Sequence, residues 1–382
     1  MALGCNFLVE RGDLHHTSVH PATISDDTVP PSGGLLLAIE RFGFSANNIT
    51  YAVFGDAMGY WSFFPAPDGW GRVPVWGFAR VLRSATDGIT EGDRFFGYLP
   101  PSTHLLVRAG EVSGDGFTDV TEHRMALPPV YNRYVNCATD PSYDPRYEDL
   151  QMLLRPLFMT SFLLDDQLAD EGFHGADAVV LTSASSKTAF ALAHLISRRG
   201  GDRPAVVGLT SASNVGFVEG LGCYDRVVTY DGVLDGSTPL PADPTALVDF
   251  SGDPLIVGAV HRQVGDALAY SGIVGGTHWQ AIGGAEPDTS GEPLPGAART
   301  FFFAPDRVDQ RRADWGPDGM EERIAAAWGP FVERVSGWVT VVRGAGPDAV
   351  RRVYEETLRG DTSPDIAHVL SMYGTDRNHL ED

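Results

Sequence analysis

The chain has 382 residues, 43% hydrophobic and 20% charged, a balance that supports packed globular structure and excludes a disordered polymer. A net charge of −22 repels phosphodiester backbones and anionic lipid, so nucleic acid and membrane are not expected partners. The start carries Glu10 and Asp13 with no cationic leader, and no apolar run approaches the roughly 18 residues that span a bilayer, so a cytoplasmic location is expected.

Taken in chain order, strand-like pieces at 35–39, 49–53, 73–83 and 94–99 are interrupted by Gly, Pro and Asp, the pattern of a β-rich, partly open barrel. A long helix is expected over 147–168, with Leu150, Leu153, Leu154, Leu157 and Phe158 mostly on one face. From Asp177 onward, apolar strands at 178–182, 205–210, 226–230, 246–250, 273–278 and 300–304 alternate with helical stretches at 187–199, 214–221 and 256–270. This alternation predicts a parallel sheet covered on both faces. Phe301, Phe302 and Phe303 form its last, edge strand, and so apolar an edge points to a homodimer through sheet extension. Residues 283–296 read as a surface loop, and 347–359 as an amphipathic helix carrying Val350, Val353, Tyr354 and Leu358.

Lys187 is the one lysine among 28 basic residues. It lies in Leu-Thr-Ser-Ala-Ser-Ser-Lys-Thr-Ala at 181–189, which reads as a strand end, a turn of small residues and a helix start. Such a turn aims backbone N–H groups and a positive helix end at an anion, usually phosphate, and an ammonium adds a compact cation. Ser183, Ser185, Ser186, Lys187 and Thr188 are therefore candidate cofactor-binding residues. A P-loop is excluded, because its glycines would fall on Leu181 and Ser186. The second strand should end in Asp or Glu if the ligand were a dinucleotide with a free ribose 2′-OH. Here it runs Leu-Thr-Ser-Ala-Ser-Asn at 209–214, so Thr210, Ser211 and Asn214 favour a 2′-phosphate and hence NADPH over NADH. Cys5, Cys137 and Cys223 form no C-x-x-C, and no metal site is expected.

The segment at 181–189 resembles the corresponding turn of the medium-chain dehydrogenase/reductase superfamily, in its zinc-independent quinone and enoyl reductase branch. Leu-Gly-Cys-Tyr-Asp-Arg-Val-Val at 221–228, Val-Asp-Phe-Ser-Gly at 248–252 and Ile-Val-Gly-Gly-Thr-His at 273–278 are similar to its third, fourth and fifth strand regions. Ser-Ala-Asn-Asn-Ile-Thr-Tyr at 45–51, Val-Pro-Val-Trp-Gly-Phe-Ala-Arg-Val at 73–81 and Glu-Gly-Asp-Arg-Phe-Phe-Gly at 91–97 resemble parts of its substrate domain. More narrowly, Phe-Gly-Asp-Ala-Met-Gly-Tyr-Trp at 54–61 resembles an uncharacterised family of the superfamily.

The resemblance implies an α/β protein. A GroES-like partial barrel at 1–155 and 338–382 would surround an inserted Rossmann domain, a doubly wound parallel sheet, at 156–337. It places Thr160 near a nicotinamide and Gly275, Gly276 and Thr277 along its edge. The implied reaction is NADPH-dependent reduction, without zinc, of an activated C=C or C=O in a small organic substrate. Tyr51, Tyr60 and His278 are the expected catalytic donors, whereas Tyr131 and Tyr134 are expected to fasten the domain junction. Two alternatives stay open: a nucleotide-binding sensor or structural subunit without hydride chemistry, and a hydrolase pairing Ser183, Ser185 or Ser186 with Lys187 as base.

Overall fold

The computed structural model describes residues 4–274 and 294–374. The chain divides into two units, Met1–Leu153 with Val339–Asp382, and Leu154–Trp338.

Strand-forming sequence dominates the first unit. A hairpin of β1 (Cys5–Glu10) and β2 (Thr17–Pro21) precedes β3 (Gly34–Phe44), whose Leu35, Leu36, Leu37 and Ile39 are all fully buried. Residues 49–53, expected as strand, lie instead in helix α1 (Ala46–Val53). Its start is fixed locally: the Ser45 N–H donates to Asn48 Oδ1 at 2.8 Å, a capping contact that outweighs the β-branched Ile49, Thr50 and Val53. Then follow β4 (Trp70–Gly71), β5 (Val75–Ser84), β6 (Arg94–Leu99), β7 (His104–Ser113), β8 (Gly116–Asp119) and β9 (Arg133–Asn136). The main sheet runs β3-β5-β6-β9-β8-β7, and a further β3–β7 pairing closes it on itself. Register shifts in β3 at Leu36/Leu37 and Ile39/Arg41 supply the curvature that closure needs. Helix α2 (Glu148–Asp170) then leads from this unit into the next.

The second unit alternates strand and helix: β10 (Ala178–Leu181), α3 (Lys187–Ser197), β11 (Ala205–Thr210), α4 (Val215–Gly220), β12 (Arg226–Thr229), α5 (Tyr230–Leu234), β13 (Thr245–Asp249), α6 (Pro254–Val264), β14 (Leu268–Ile273) and β15 (Arg299–Phe301). All pairings are parallel, in the order β12-β11-β10-β13-β14-β15. Ranked by sequence this is 3-2-1-4-5-6, the doubly wound arrangement in which ligands gather beyond the C-terminal strand ends. Every residue of β10 and of β13 is buried, as a sheet covered on both faces requires.

Two boundaries differ from expectation. The helix expected to reach residue 270 stops at Val264, because Gly265 takes φ 58°, and the fifth strand therefore starts at Leu268. The strand expected at 300–304 ends at Phe301, since helix α7 (Ala304–Val335) begins three residues later. This long helix turns at Gly316, φ 73°, ahead of Pro317. It is held to α2 by Arg307 and Arg311, which share Asp166 and Asp170.

The chain then adds β16 (Thr340–Ala345), α8 (Pro347–Arg359) and β17 (Ile366–Ser371) to the first unit, β17 pairing with β3. Among the described residues, no helix is long and apolar enough to cross a membrane.

Candidate functional site

The turn that follows β10 is built from residues with opposing demands. Ser183 adopts φ 48°, a left-handed conformation that glycine enters freely and serine does not. It is held there on both sides. Its N–H donates to Tyr230 Oη at 2.9 Å, and the Tyr224 hydroxyl donates to the neighbouring Ala184 carbonyl at 2.8 Å. Ser186 caps α3, its Oγ accepting from the Ala189 N–H at 3.3 Å. Lys187 opens the helix and is partly exposed, as are Ser185, Ser186 and Thr188. First-turn N–H groups lack intrahelical partners, so this end of an 11-residue helix presents donors and a positive dipole.

The loop after β11 meets that turn. Asn214 Nδ2 donates to Ser185 Oγ at 3.2 Å, and Ser211 and Ser213 share a hydroxyl contact of 3.0 Å. Thr210 is buried at the strand end, whereas Ser211 and Asn214 are partly exposed. Ser183, Ser185, Ser186, Lys187, Thr188, Thr210, Ser211 and Asn214 therefore share the C-terminal edge of β10 and β11. Thr160, on α2, uses its hydroxyl on its own helix at the Pro156 carbonyl, 3.4 Å away. The adjacent Ser161 donates to the Thr188 carbonyl at 2.8 Å and ties α2 to the start of α3. Gly275, Gly276, Thr277 and His278 lie outside the described residues.

Sequence reading missed two contributors to this edge. Tyr230 comes 47 residues after the Ser183 amide that it accepts from. Asp249, fully buried at the end of β13, accepts from the Thr182 hydroxyl (2.8 Å), the Ser251 hydroxyl (2.8 Å), the amides of Ser251 and Gly252, and Arg299 Nη2 (2.7 Å). Thr182 Oγ1 in turn accepts from the amides of Phe250 and Ser251. Four such contacts and an arginine satisfy a carboxylate that would otherwise be costly to bury. The signal was a lone Asp closing an apolar strand.

Tyr51 and Tyr60 belong to the first unit, in an aromatic cluster with Phe63, Phe64 and Tyr98. Their ring centroids are 4.7 Å apart. The Tyr51 hydroxyl accepts from Trp76 Nε1 at 3.3 Å, and that of Tyr60 meets Tyr131 at 3.4 Å. Burial raises the pKa of both, so both stay protonated and can donate a hydrogen bond but not act as bases. Tyr134 is buried in the first unit, where it stacks on Phe117, donates to the Tyr98 carbonyl and accepts from Arg124. Among the described residues, no three His, Cys, Asp or Glu side chains are grouped as metal ligands.

Solved structures share this architecture over nearly the whole chain. CurA from Vibrio vulnificus, also solved with NADPH, is 11% identical, with 96% of this chain and 98% of that one aligned at a TM-score of 0.59. The yhdH oxidoreductase from Salmonella enterica, in complex with NADP, is 12% identical, with coverage of 96% and 99% and a TM-score of 0.52. Etr1p, a 2-enoyl thioester reductase of Candida tropicalis, in complex with NADP and crotonyl-CoA, is 10% identical, with coverage of 97% and 100% and a TM-score of 0.57. At such identities the likeness establishes the fold, a Rossmann sheet joined to a barrel-like antiparallel sheet, as the resemblance implied. No curated protein matches the sequence. Residues 42–363 match the family described as "Protein of unknown function (DUF2855)", and the chain belongs to that family.

Proposed function

We propose that the chain is an NADPH-dependent, zinc-independent reductase acting on an activated C=C, as in an α,β-unsaturated carbonyl, or on a C=O. The observation that carries this reading is the junction of Asn214 with Ser185, which sets a carboxylate-free second-strand loop against a serine-lined helix start bearing the chain's one lysine. The residues fit the group: hydroxyls and first-turn amides suit a diphosphate, and Ser211, Asn214 and Lys187, two residues on from the Ser185 that Asn214 bonds, suit an additional 2′-phosphate. The cofactor, when bound, supplies a hydride. Thr160 borders the nicotinamide in this reading, with Gly275 and Thr277 along its edge.

In this reading hydrogen-bond donors polarise the substrate oxygen. Tyr51 and Tyr60 are the protonated hydroxyls available for it in the first unit, and His278 is the further candidate. Burial pushes the Cys137 and Cys223 thiols up to about 12, so both stay protonated near neutral pH and neither serves as a nucleophile in this reading. The enoyl thioester partner of Etr1p supports an activated C=C as the substrate class. Phe301 and Phe303, stacked and exposed on the edge strand and just beyond it, support a homodimer through that edge.

One observation favours the second reading, nucleotide binding without hydride chemistry: Tyr51 and Tyr60 are only 6% and 9% exposed, with hydroxyls already engaged by Trp76 and Tyr131. Titration with NADPH and NADH, followed by turnover on a panel of enones and aldehydes, separates the two. Stoichiometric NADPH binding with turnover of an enone supports the reductase. Binding without turnover supports the sensor or structural role, and no binding of either coenzyme removes both.

A further inference from the structure

The first unit holds a cavity of about 190 Å³, walled by Asn6, Phe63, Phe64, Arg72, His104 and Arg124 among others. Its charges are unequally served. Arg124 is buried and satisfied: Nη1 pairs with Asp119 at 2.9 Å, Nε donates to Asn132, and Nη2 to the Tyr131 carbonyl. His104 lies between Thr103 and Asp26, at 2.9 and 2.8 Å, and His123 meets the Phe63 carbonyl at the exposed rim. Arg72 differs. Its Nε is buried without a hydrogen bond, and no carboxylate pairs with its guanidinium among the described residues. Burial depresses its pKa, so its partly buried cation lacks full compensation. Ser102 Oγ, on the residue bridged to Asn6, is likewise buried without a partner.

A guanidinium with a buried, unbonded N–H and no carboxylate partner is unfavourable, and a bound anion would complete it. Asp119, the carboxylate of the lining, is taken by Arg124, so the lining offers Arg72 no counter-charge of its own. A planar fork of N–H donors matches the paired oxygens of a carboxylate or phosphate. Water occupies about 30 Å³ per molecule in the liquid, so the space suits an anion of a few heavy atoms. Asn6 and Thr23 add a carboxamide and a rim hydroxyl, while Phe63, Phe64 and Leu106 provide an apolar side.

We propose that this cavity is a second ligand site, independent of the turn after β10, which binds a small organic oxyanion through Arg72. The test uses the full chain with inorganic phosphate and malonate as probes, by calorimetry and thermal shift at constant ionic strength. Wild type takes up one equivalent of at least one probe and melts at higher temperature with it. Lys187→Ala behaves the same, which separates this site from any phosphate held at the β10 turn. Arg72→Gln binds about tenfold or more weakly and loses the thermal shift, while Arg72→Lys, which keeps the charge, retains part of both. Uptake of phosphate alone points to a phosphoryl ligand, and of malonate alone to a carboxylate; each supports the proposal. No saturable uptake at about 10 mM, far above a useful affinity, overturns it. So does equal binding by wild type and Arg72→Gln.

Discussion

Replacing Lys187 with alanine removes the one ammonium in the chain, at the first position of α3. Two unit charges about 4 Å apart attract by about 4 kcal/mol at an effective dielectric near 20. Lys187 is partly exposed, so screening and side-chain ordering bring this down to about 1.5–3 kcal/mol, the range of a hydrogen bond to a charged group. NADPH is then expected to bind roughly tenfold to a hundredfold more weakly to Lys187→Ala than to wild type. NADH, with no 2′-phosphate to meet the ammonium, should lose about threefold or less. Quenching of tryptophan fluorescence measures both, and Trp315, Trp328 and Trp338 lie in the same unit as the turn. Raising the salt should erode the wild-type advantage and leave the variant nearly unchanged. Equal losses for the two coenzymes would move the lysine onto the diphosphate. An unchanged affinity for NADPH would refute the reasoning, because the turn would then bind without its cation.

Ser211→Asp places a carboxylate where the second strand meets Asn214, and the ratio of NADPH to NADH affinity should fall about tenfold or more by the same titration. Asp249→Ala strands Arg299 and four other donors in a fully buried position, so chemical denaturation should show a loss of about 3–5 kcal/mol, with a smaller loss for Asp249→Asn. His194 is buried beside Phe331 and Trp338, and burial, with Arg198 and Arg334 nearby, lowers its pKa to about 4. The unfolded chain binds this proton first, so the contribution is complete above about pH 6.5 and is lost as pH falls towards 4; denaturation midpoints of His194→Gln should depend less steeply on pH across that window. Phe301→Asp should convert a dimer to a 41.1 kDa monomer in sedimentation, and a wild type that is itself monomeric would discard the edge-strand dimer.

What the sequence revealed divides along a physical line. The strand at Ala205–Thr210, the strand at Arg94–Leu99 and the helix at Pro347–Arg359 were legible to the residue, because burial or amphipathicity is written locally in each. Helix α7 was not: its surface is rich in Arg, Asp and Glu, and Gly316, Pro317 and Pro330 interrupt its pattern, although tertiary pairing of Arg307 and Arg311 with α2 holds it. The same line runs through the candidate site. The turn at 183–188 could be read because its residues are neighbours, whereas Tyr230 and Asp249 act from 47 and 67 residues away and join it only in the folded sheet. These distant partners explain how the turn forms without the glycines of a typical dinucleotide fold. A left-handed backbone costs a side-chain-bearing residue about 1–2 kcal/mol. At Ser183 that cost is offset by the Tyr230 hydroxyl on its amide and by the Asp249–Thr182 network fixing the preceding residue. The serines therefore keep a glycine-like backbone path while placing hydroxyls at a helix start, so the missing glycines do not count against a phosphate-binding turn.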